Sequence, residues 1–140
     1  MISMIIGTVC GQERNGDIVV NASGVGYSVR TSRKVLDAVG VYGRTVTLYC
    51  RQVWSEALGP SLYGWTDEMD RHTFDLLLTI DGVGPVMASR IVGGVDHLDV
   101  ATEKDLMKID GVGKIIAGRV AAEWPRVLAR AEARREKSRA

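Results

Sequence analysis

Two short stretches, Asp81-Gly82-Val83-Gly84 and Asp110-Gly111-Val112-Gly113, repeat the same four letters 29 positions apart. Glycines at alternate positions let a backbone turn sharply and leave its amide N–H groups uncovered, so an anion can reach them directly. In each repeat a helix-like apolar run follows at once, from Pro85 in the first and from Lys114 in the second. The first turn of such a helix adds unpaired amides and the positive end of its dipole. The chemistry open to these residues is the gripping of phosphate with no need for a catalytic base. The shared frame is wider than the turn, since Ile80 and Ile109 precede it and Arg90 and Arg119 follow it at matching places. Val83 and Val112, between the glycines, are expected to point inward and pin each hairpin to the core.

Three readings of the repeated turn compete. A dinucleotide site would need a third glycine and a strand before the turn, and the sequence has neither. Two helical hairpins that use glycine only to cap their helices are the plain structural alternative. Duplication favours phosphate-backbone recognition, because two equivalent turns related by a pseudo-two-fold can hold phosphates on both strands of one duplex.

The elements that must position these turns can be read from periodicity. The first 65 residues alternate short runs rich in Val, Ile, Thr and Tyr with Gly, Asn and Asp punctuation, which predicts strands at Met4–Cys10, Asp17–Ala22, Gly26–Thr31, Thr45–Val53 and Ser61–Gly64. Asn15-Gly16 and Ser23–Gly26 are turn signals between them. Five strands in so few residues point to a small closed barrel, of which the OB-fold is the commonest nucleic-acid-binding version; another small barrel stays open. Trp54–Ser61, with its Gly-Pro, reads as a projecting loop rather than a tight hairpin. From Thr66, a candidate N-cap followed by Asp67, Glu68 and Asp70, the period becomes helical, with Phe74, Leu77, Leu78 and Ile80 as the apolar stripe. Further helices are expected over Pro85–Val92, ended by Gly93-Gly94, over Asp99–Ile109 with Thr102 as a possible cap, and over Lys114–Ala133, with Pro125 as a kink or break. The predicted class is therefore α+β: an N-terminal five-stranded OB-fold barrel over 1–65, an all-α tandem helix-hairpin-helix domain over 66–128, and a basic tail over 129–140.

Composition narrows the functions. At 140 residues the chain has room for one ordinary domain or two small ones, and no apolar run reaches the roughly 20 residues of a membrane span. The apolar start has no basic leader, which points to a cytoplasmic protein. Cys10 and Cys50 fall in strand-like runs, where a free thiol acts as a small hydrophobe. The net charge of +1 is unevenly placed: residues 66–125 hold 6 Lys or Arg against 11 Asp or Glu, and residues 126–140 hold 6 against 2. An anionic partner must therefore be met by local features, because the summed field of the middle segment repels it. No metal or cofactor is called for, since His72 and His97 have no companion ligands.

The order of motifs, from "GTVCG" and "GVGYSVRTS" through "VTLYC" and "LYGW" to "DGVGPVMASRIVGG" and "DGVGKIIAGRVAAEW", resembles the RuvA family of bacterial Holliday-junction-binding proteins over residues 2–128. The resemblance implies a non-enzymatic binder of four-way junction DNA, assembled as a homotetramer or, on DNA, an octamer, with helix-hairpin-helix pairs gripping the backbone of each arm. Carried over by position, the DNA-binding residues are Gly82, Val83, Gly84 and Pro85, then Gly111, Val112, Gly113 and Lys114, with Arg90 and Arg119 behind them. An acidic pin that repels phosphates at the crossover falls on Ser55 and Glu56. Family pins carry two adjacent acids flanked by an arginine, whereas this chain reads Trp54-Ser55-Glu56, and the usual Gly-Pro-Lys of the first hairpin ends here in Val86. The family also continues into a helical third domain that docks the ATPase RuvB. The stretch "RVLARAEARREKSRA" is too short and too charged to build it, which leaves a junction resolvase or another helicase as the alternative partner.

Two rivals stay open. A general duplex or single-strand binder would stack bases on Trp54, Tyr27, Tyr42 or Tyr49, although tyrosines at alternate strand positions also serve as core. A nuclease or glycosylase on the same scaffold would need catalytic acids near the hairpins, where Asp96, Asp99 and Asp105 are the candidates.

Overall fold

Alternating apolar side chains in β1 (Met4–Gln12) bury Ile5 and Val9 on one face, and the same pattern in β2 (Ile18–Ala22) buries Ile18 and Val20. A computed structural model describes residues 1–39 and 42–139, in two units, Met1–Arg71 and His72–Ala140; Ala140, the last residue of the predicted tail, lies outside the described residues. In the first unit β3 (Val25–Val29), β4 (Thr45–Ser55) and β5 (Gly59–Trp65) complete a five-stranded sheet in the order β3-β2-β1-β4-β5, antiparallel throughout. The sheet curls until its ends meet: Arg30 N–H donates to Leu62 O (2.7 Å), Gly64 N–H donates to Arg30 O (3.0 Å), and Arg30 bridges Tyr63 in parallel. This is an OB-like barrel. Its curl has two visible causes. The register shifts between Val9 and Gly11, a bulge that bends β1. At Gly7 a side chain would run into the carbonyl of Asn21, so only glycine lets the strands approach this closely. The tight turn between β2 and β3 places Ser23 at φ 53° and Gly24 at φ 89°, the two positive values that match the twist of a two-residue hairpin.

Two departures from the sequence reading fall in this unit. A helix, α1 (Arg33–Val39), occupies part of the segment between β3 and β4, buries Val35 and Val39, and is capped by Ser32, whose Oγ accepts from Val35 N–H at 3.4 Å. The expected loop at Trp54–Ser61 is instead the end of a long hairpin. Pairing continues through Val53↔Ser61 and Trp54↔Pro60 to Ser55↔Gly59, leaving three loop residues. Gly59, at φ 69°, supplies the left-handed position that a three-residue hairpin loop needs, and Pro60 is tolerated because β5 is last in the sheet order.

α2 (Glu68–Leu77) leads the chain into the second unit, and its cap is Asp67 rather than Thr66: Asp67 Oδ1 accepts from Met69 N–H at 2.9 Å. α3 (Pro85–Gly94) absorbs Gly93 and Gly94 in its last turn instead of ending before them. Gly94 answers a packing demand, since an added Cβ would lie 2.7 Å from Ile109 Cγ1. The expected helix at Asp99–Ile109 splits into a single 3-10 turn (Leu98–Val100) and α4 (Glu103–Met107). Thr102 causes the split by taking an extended backbone and forming a capping box: its Oγ accepts from Asp105 N–H (3.3 Å) and its N–H donates to Asp105 Oδ2 (2.9 Å). α5 (Lys114–Arg139) runs unbroken through Pro125 and continues through the basic tail to Arg139. The missing N–H of Pro125 removes one bond of the ladder, while the preceding turns stay anchored by Ala117, Val120 and Trp124, each buried. Phe74, Leu77, Ile91, Leu106, Ala117 and Val120 are fully buried and form the centre of this unit. Among the described residues no helix is long and apolar enough to cross a membrane.

Candidate nucleic-acid interface

The repeat in the sequence is a repeat of hydrogen bonds. Ile80 N–H donates to Leu77 O and Ile109 N–H to Leu106 O, both at 3.1 Å; Val83 N–H donates to Ile80 O and Val112 N–H to Ile109 O, again both at 3.1 Å. The following helices open alike, with Ala88 N–H to Gly84 O at 2.9 Å and Ala117 N–H to Gly113 O at 3.0 Å. Val83 and Val112 are each only 6% exposed, so both turns are pinned inward. Their glycines stay exposed.

The two glycines of each turn have different reasons to be glycine. Gly82 and Gly111 hold φ at 84° and 81°, a conformation that costs an L side chain roughly 1–2 kcal/mol. Gly84 has φ −92° and ψ 178°, which any residue adopts, and an added Cβ at Gly84 or Gly113 would meet nothing within 4 Å. Neither backbone angle nor packing requires glycine there. Both positions cap the N-terminus of a helix, Gly84 with no side-chain cap, beside the outward amides of the first turn. Bare glycine at that place gives a large anion room to approach those amides.

The arginines are exchanged between the repeats. Arg119 of the second repeat donates from Nη1 to the carbonyl of Asp81 (2.8 Å) and lies over Gly82, where an added Cβ would sit 2.9 Å from that nitrogen. Arg90 of the first repeat lies over Gly111, its Cζ 3.3 Å from the corresponding Cβ position. Each turn thus receives its guanidinium from the other hairpin. Both arginines are exposed, as are Asp81 and Asp110 beside the turns. Lys114 is exposed at the start of α5, and the residues that follow the two entry positions are apolar and open: Val86 is 47% exposed and Ile115 is 77% exposed.

Ser55 and Glu56 lie at the end of the β4–β5 hairpin, in the other unit. Glu56 is exposed in the three-residue loop, and Ser55 Oγ accepts from Leu58 N–H at 3.1 Å, which uses the hydroxyl to hold the loop. Trp54 next to them is 72% exposed. Of the other aromatic candidates, Tyr42 is exposed, and Tyr27 and Tyr49 are half-buried.

Two of the acids named for a nuclease or glycosylase have partners within the fold. Asp99 Oδ1 accepts from the indole of Trp124 at 2.8 Å, and Asp105 is held below the usual carboxylate range by the backbone and hydroxyl of Thr102. His72 and His97 are both exposed, and among the described residues no three of His, Cys, Asp and Glu converge as a metal site. Burial pushes the Cys50 thiol up to about 11, so it stays protonated and serves as core.

Comparison with known proteins follows the same division. Residues 1–64 match the RuvA N terminal domain, and residues 74–124 match the SAM-like helix-hairpin-helix tandem. The subunit named Holliday junction branch migration complex subunit RuvA from Caulobacter vibrioides (strain NA1000 / CB15N) is 35% identical over 94 residues, covering 66% of this chain and 44% of the relative. This chain carries a RuvA N terminal domain followed by a helix-hairpin-helix tandem. Relatives of the same name from Ruminiclostridium cellulolyticum and Prochlorococcus marinus (strain MIT 9211) are 36% and 32% identical over 93 and 95 residues, again 66% of this chain, and 45% and 42% of those proteins. The chain thus spans less than half the length of these RuvA relatives. The helix α1 that the sequence reading missed lies within the RuvA N terminal match, and its signal was present as Ser32 followed by Val35, Leu36 and Val39 at helical spacing.

Proposed function

We propose that this protein binds four-way DNA junctions in recombination and repair, without catalysis of its own, by seating phosphates on the turns Gly82-Val83-Gly84 and Gly111-Val112-Gly113. One observation carries the reading. Gly84 and Gly113 are exposed glycines at equivalent helix N-caps where backbone angle and packing would both admit a side chain, and the bare position leaves the first-turn amides open to an anion. Two such sites related by a 29-residue repeat suit the two strands of one duplex arm. Pro85 fixes the start of the first helix, Lys114 adds a point charge at the second, and Arg90 and Arg119 brace the turns while contributing charge. Ser55 and Glu56 form the hairpin tip that keeps phosphates away from a branch point.

RuvA relatives named as subunits of a branch migration complex support the junction as the substrate. The same relationship supports a homotetramer, or an octamer on DNA, acting on cytoplasmic DNA with a RuvB-type ATPase or a junction resolvase supplying the chemistry. The deciding experiment is a gel-shift titration against a synthetic four-way junction and a linear duplex of equal length, with magnesium and at two salt concentrations. Discrete complexes with strong junction preference are expected. Equal and steeply salt-dependent binding to both would leave a general duplex-binding module instead.

A further inference from the structure

The phosphates along one arm are the same in a junction and in a duplex, so the contacts of a single pair of turns do not sense the branch point itself. What a branch point has and a continuous duplex lacks is interrupted stacking, which leaves base-pair faces open. The barrel carries a group suited to that difference. β4 and β5 extend as a hairpin with register kept to Ser55↔Gly59, and Trp54 at its end is 72% exposed, while Trp65 and Trp124 are 1% and 4% exposed. Leu58, in the loop, is 71% exposed.

The hairpin is built to hold that surface still. Ser55 Oγ accepts from Leu58 N–H, Gly59 takes the left-handed angle that closes the loop, and the indole lies along Gly59, its Cζ3 3.9 Å from the Cβ position. Trp54 faces the same side of the ladder as its partner Pro60, as Gln52 does with Leu62. Pro60, Gln52 and Leu62 line a groove of about 310 Å³ with Tyr27 and Arg30. The tip itself, residues 54–60, has Glu56 as its one charged side chain, so it attracts no phosphate; its chemistry matches the uncharged face of a base. In barrels of this type the loop between the fourth and fifth strands is also a place where nucleic acid is met.

We propose that Trp54, with Leu58 beside it, stacks on base-pair faces exposed at a DNA branch point and supplies preference for the branch, while the glycine turns supply backbone affinity. This rests on the junction-binding reading above. Base–aromatic stacking tolerates any sequence, as a junction reader requires.

The test uses the full chain, a four-way junction carrying 2-aminopurine either at the branch point or in mid-arm, and the variants Trp54→Ala, Trp54→Phe and Leu58→Ala. In wild type, tryptophan emission should be quenched by junction and not by duplex, and the branch-point 2-aminopurine signal should change while the mid-arm one does not. Trp54→Ala should lower junction-over-duplex preference by about tenfold, the order produced by losing one aromatic–base stack, with duplex affinity unchanged. Trp54→Phe should restore most of it. If wild type prefers the junction and Trp54→Ala keeps both the preference and the 2-aminopurine change, the stacking proposal is overturned and the junction reading stands. If wild type shows no junction preference, the junction reading itself has failed. Loss of self-association in Trp54→Ala without DNA would also overturn the proposal, by showing that a second copy covers the tip.

Discussion

Arg119 reaches from one hairpin to the other: its Nη1 donates to the backbone carbonyl of Asp81 at 2.8 Å and its guanidinium closes over Gly82. Arg90 returns the arrangement by lying over Gly111. Two weak local turns become one unit in this way, because disturbing either turn displaces an arginine rooted in the other repeat. Neither arginine serves only its own helix.

The glycines should therefore separate stability from binding. Gly82→Ala and Gly111→Ala force an L residue to φ near +80° against a guanidinium and should each cost about 1–2 kcal/mol in denaturant unfolding. Gly84→Ala and Gly113→Ala should change unfolding by less than about 1 kcal/mol, since the freedom lost by the unfolded chain is offset by alanine being the poorer N-cap. The same two variants should bind junction DNA more weakly, and bulkier replacements more weakly still. Full binding by Gly84→Leu together with Gly113→Leu would make the turns structural only.

Removing either bracing arginine should show in the salt dependence. Arg90→Ala and Arg119→Ala should each flatten the slope of log K against log salt by about 0.9 if the lost cation neutralised one phosphate. Arg119→Ala also loses a hydrogen bond to the Asp81 carbonyl, for which about 0.5–1.5 kcal/mol of stability is expected. An unchanged slope in both variants would confine the arginines to bracing.

The capping box at the start of α4 makes a pH-dependent prediction. Asp105 is held below the ordinary carboxylate value by the Thr102 N–H and hydroxyl, so the folded state favours its ionised form. A lowered folded value contributes stability above the unfolded carboxylate range, and that contribution is lost as pH falls through the folded value. Asp105→Asn should thus flatten acid unfolding below about pH 4, the ordinary carboxylate value. Thr102→Ala should cost about 1 kcal/mol at neutral pH, checked by thermal unfolding.

Glu56→Lys tests the charge of the hairpin tip. Affinity for a junction should stay close to wild type, while the angle between arms, followed by fluorescence transfer between labelled arm ends, should shift as phosphates are drawn toward the new cation. Unchanged transfer would remove Glu56 from the geometry of the complex.

The parts of this molecule that sequence reading reached are those where one residue type has one physical use. Alternation in Met4–Cys10 marked a strand, and the duplicated Gly-Val-Gly marked two equal turns with buried valines. It misjudged places where two neighbours compete. Gly59-Pro60 read as a loop because proline breaks ladders, yet glycine set the turn and proline fell on the last strand of the order. Pro125 read as a kink or break, and the break does not occur, because the buried face before it carries α5 through. Gly93-Gly94 read as a stop, although the need for Gly94 comes from Ile109, a partner that no local pattern reveals. The exchange of Arg90 and Arg119 was hidden for the same reason, since matching positions in a repeat do not say whether each arginine stays with its own turn.

The continuity of α5 makes it a lever arm. Its first residue, Lys114, follows the glycine of the second turn, and its rise of about 1.5 Å per residue carries Arg126 roughly 20 Å and Arg139 roughly 39 Å from Gly113. A phosphate seated at the turn is therefore out of reach of the helix's cationic end. Whatever those last four turns attract is held at a distance from the first anion that the length of the rod dictates, so one helix can act as a molecular spacer between two charges.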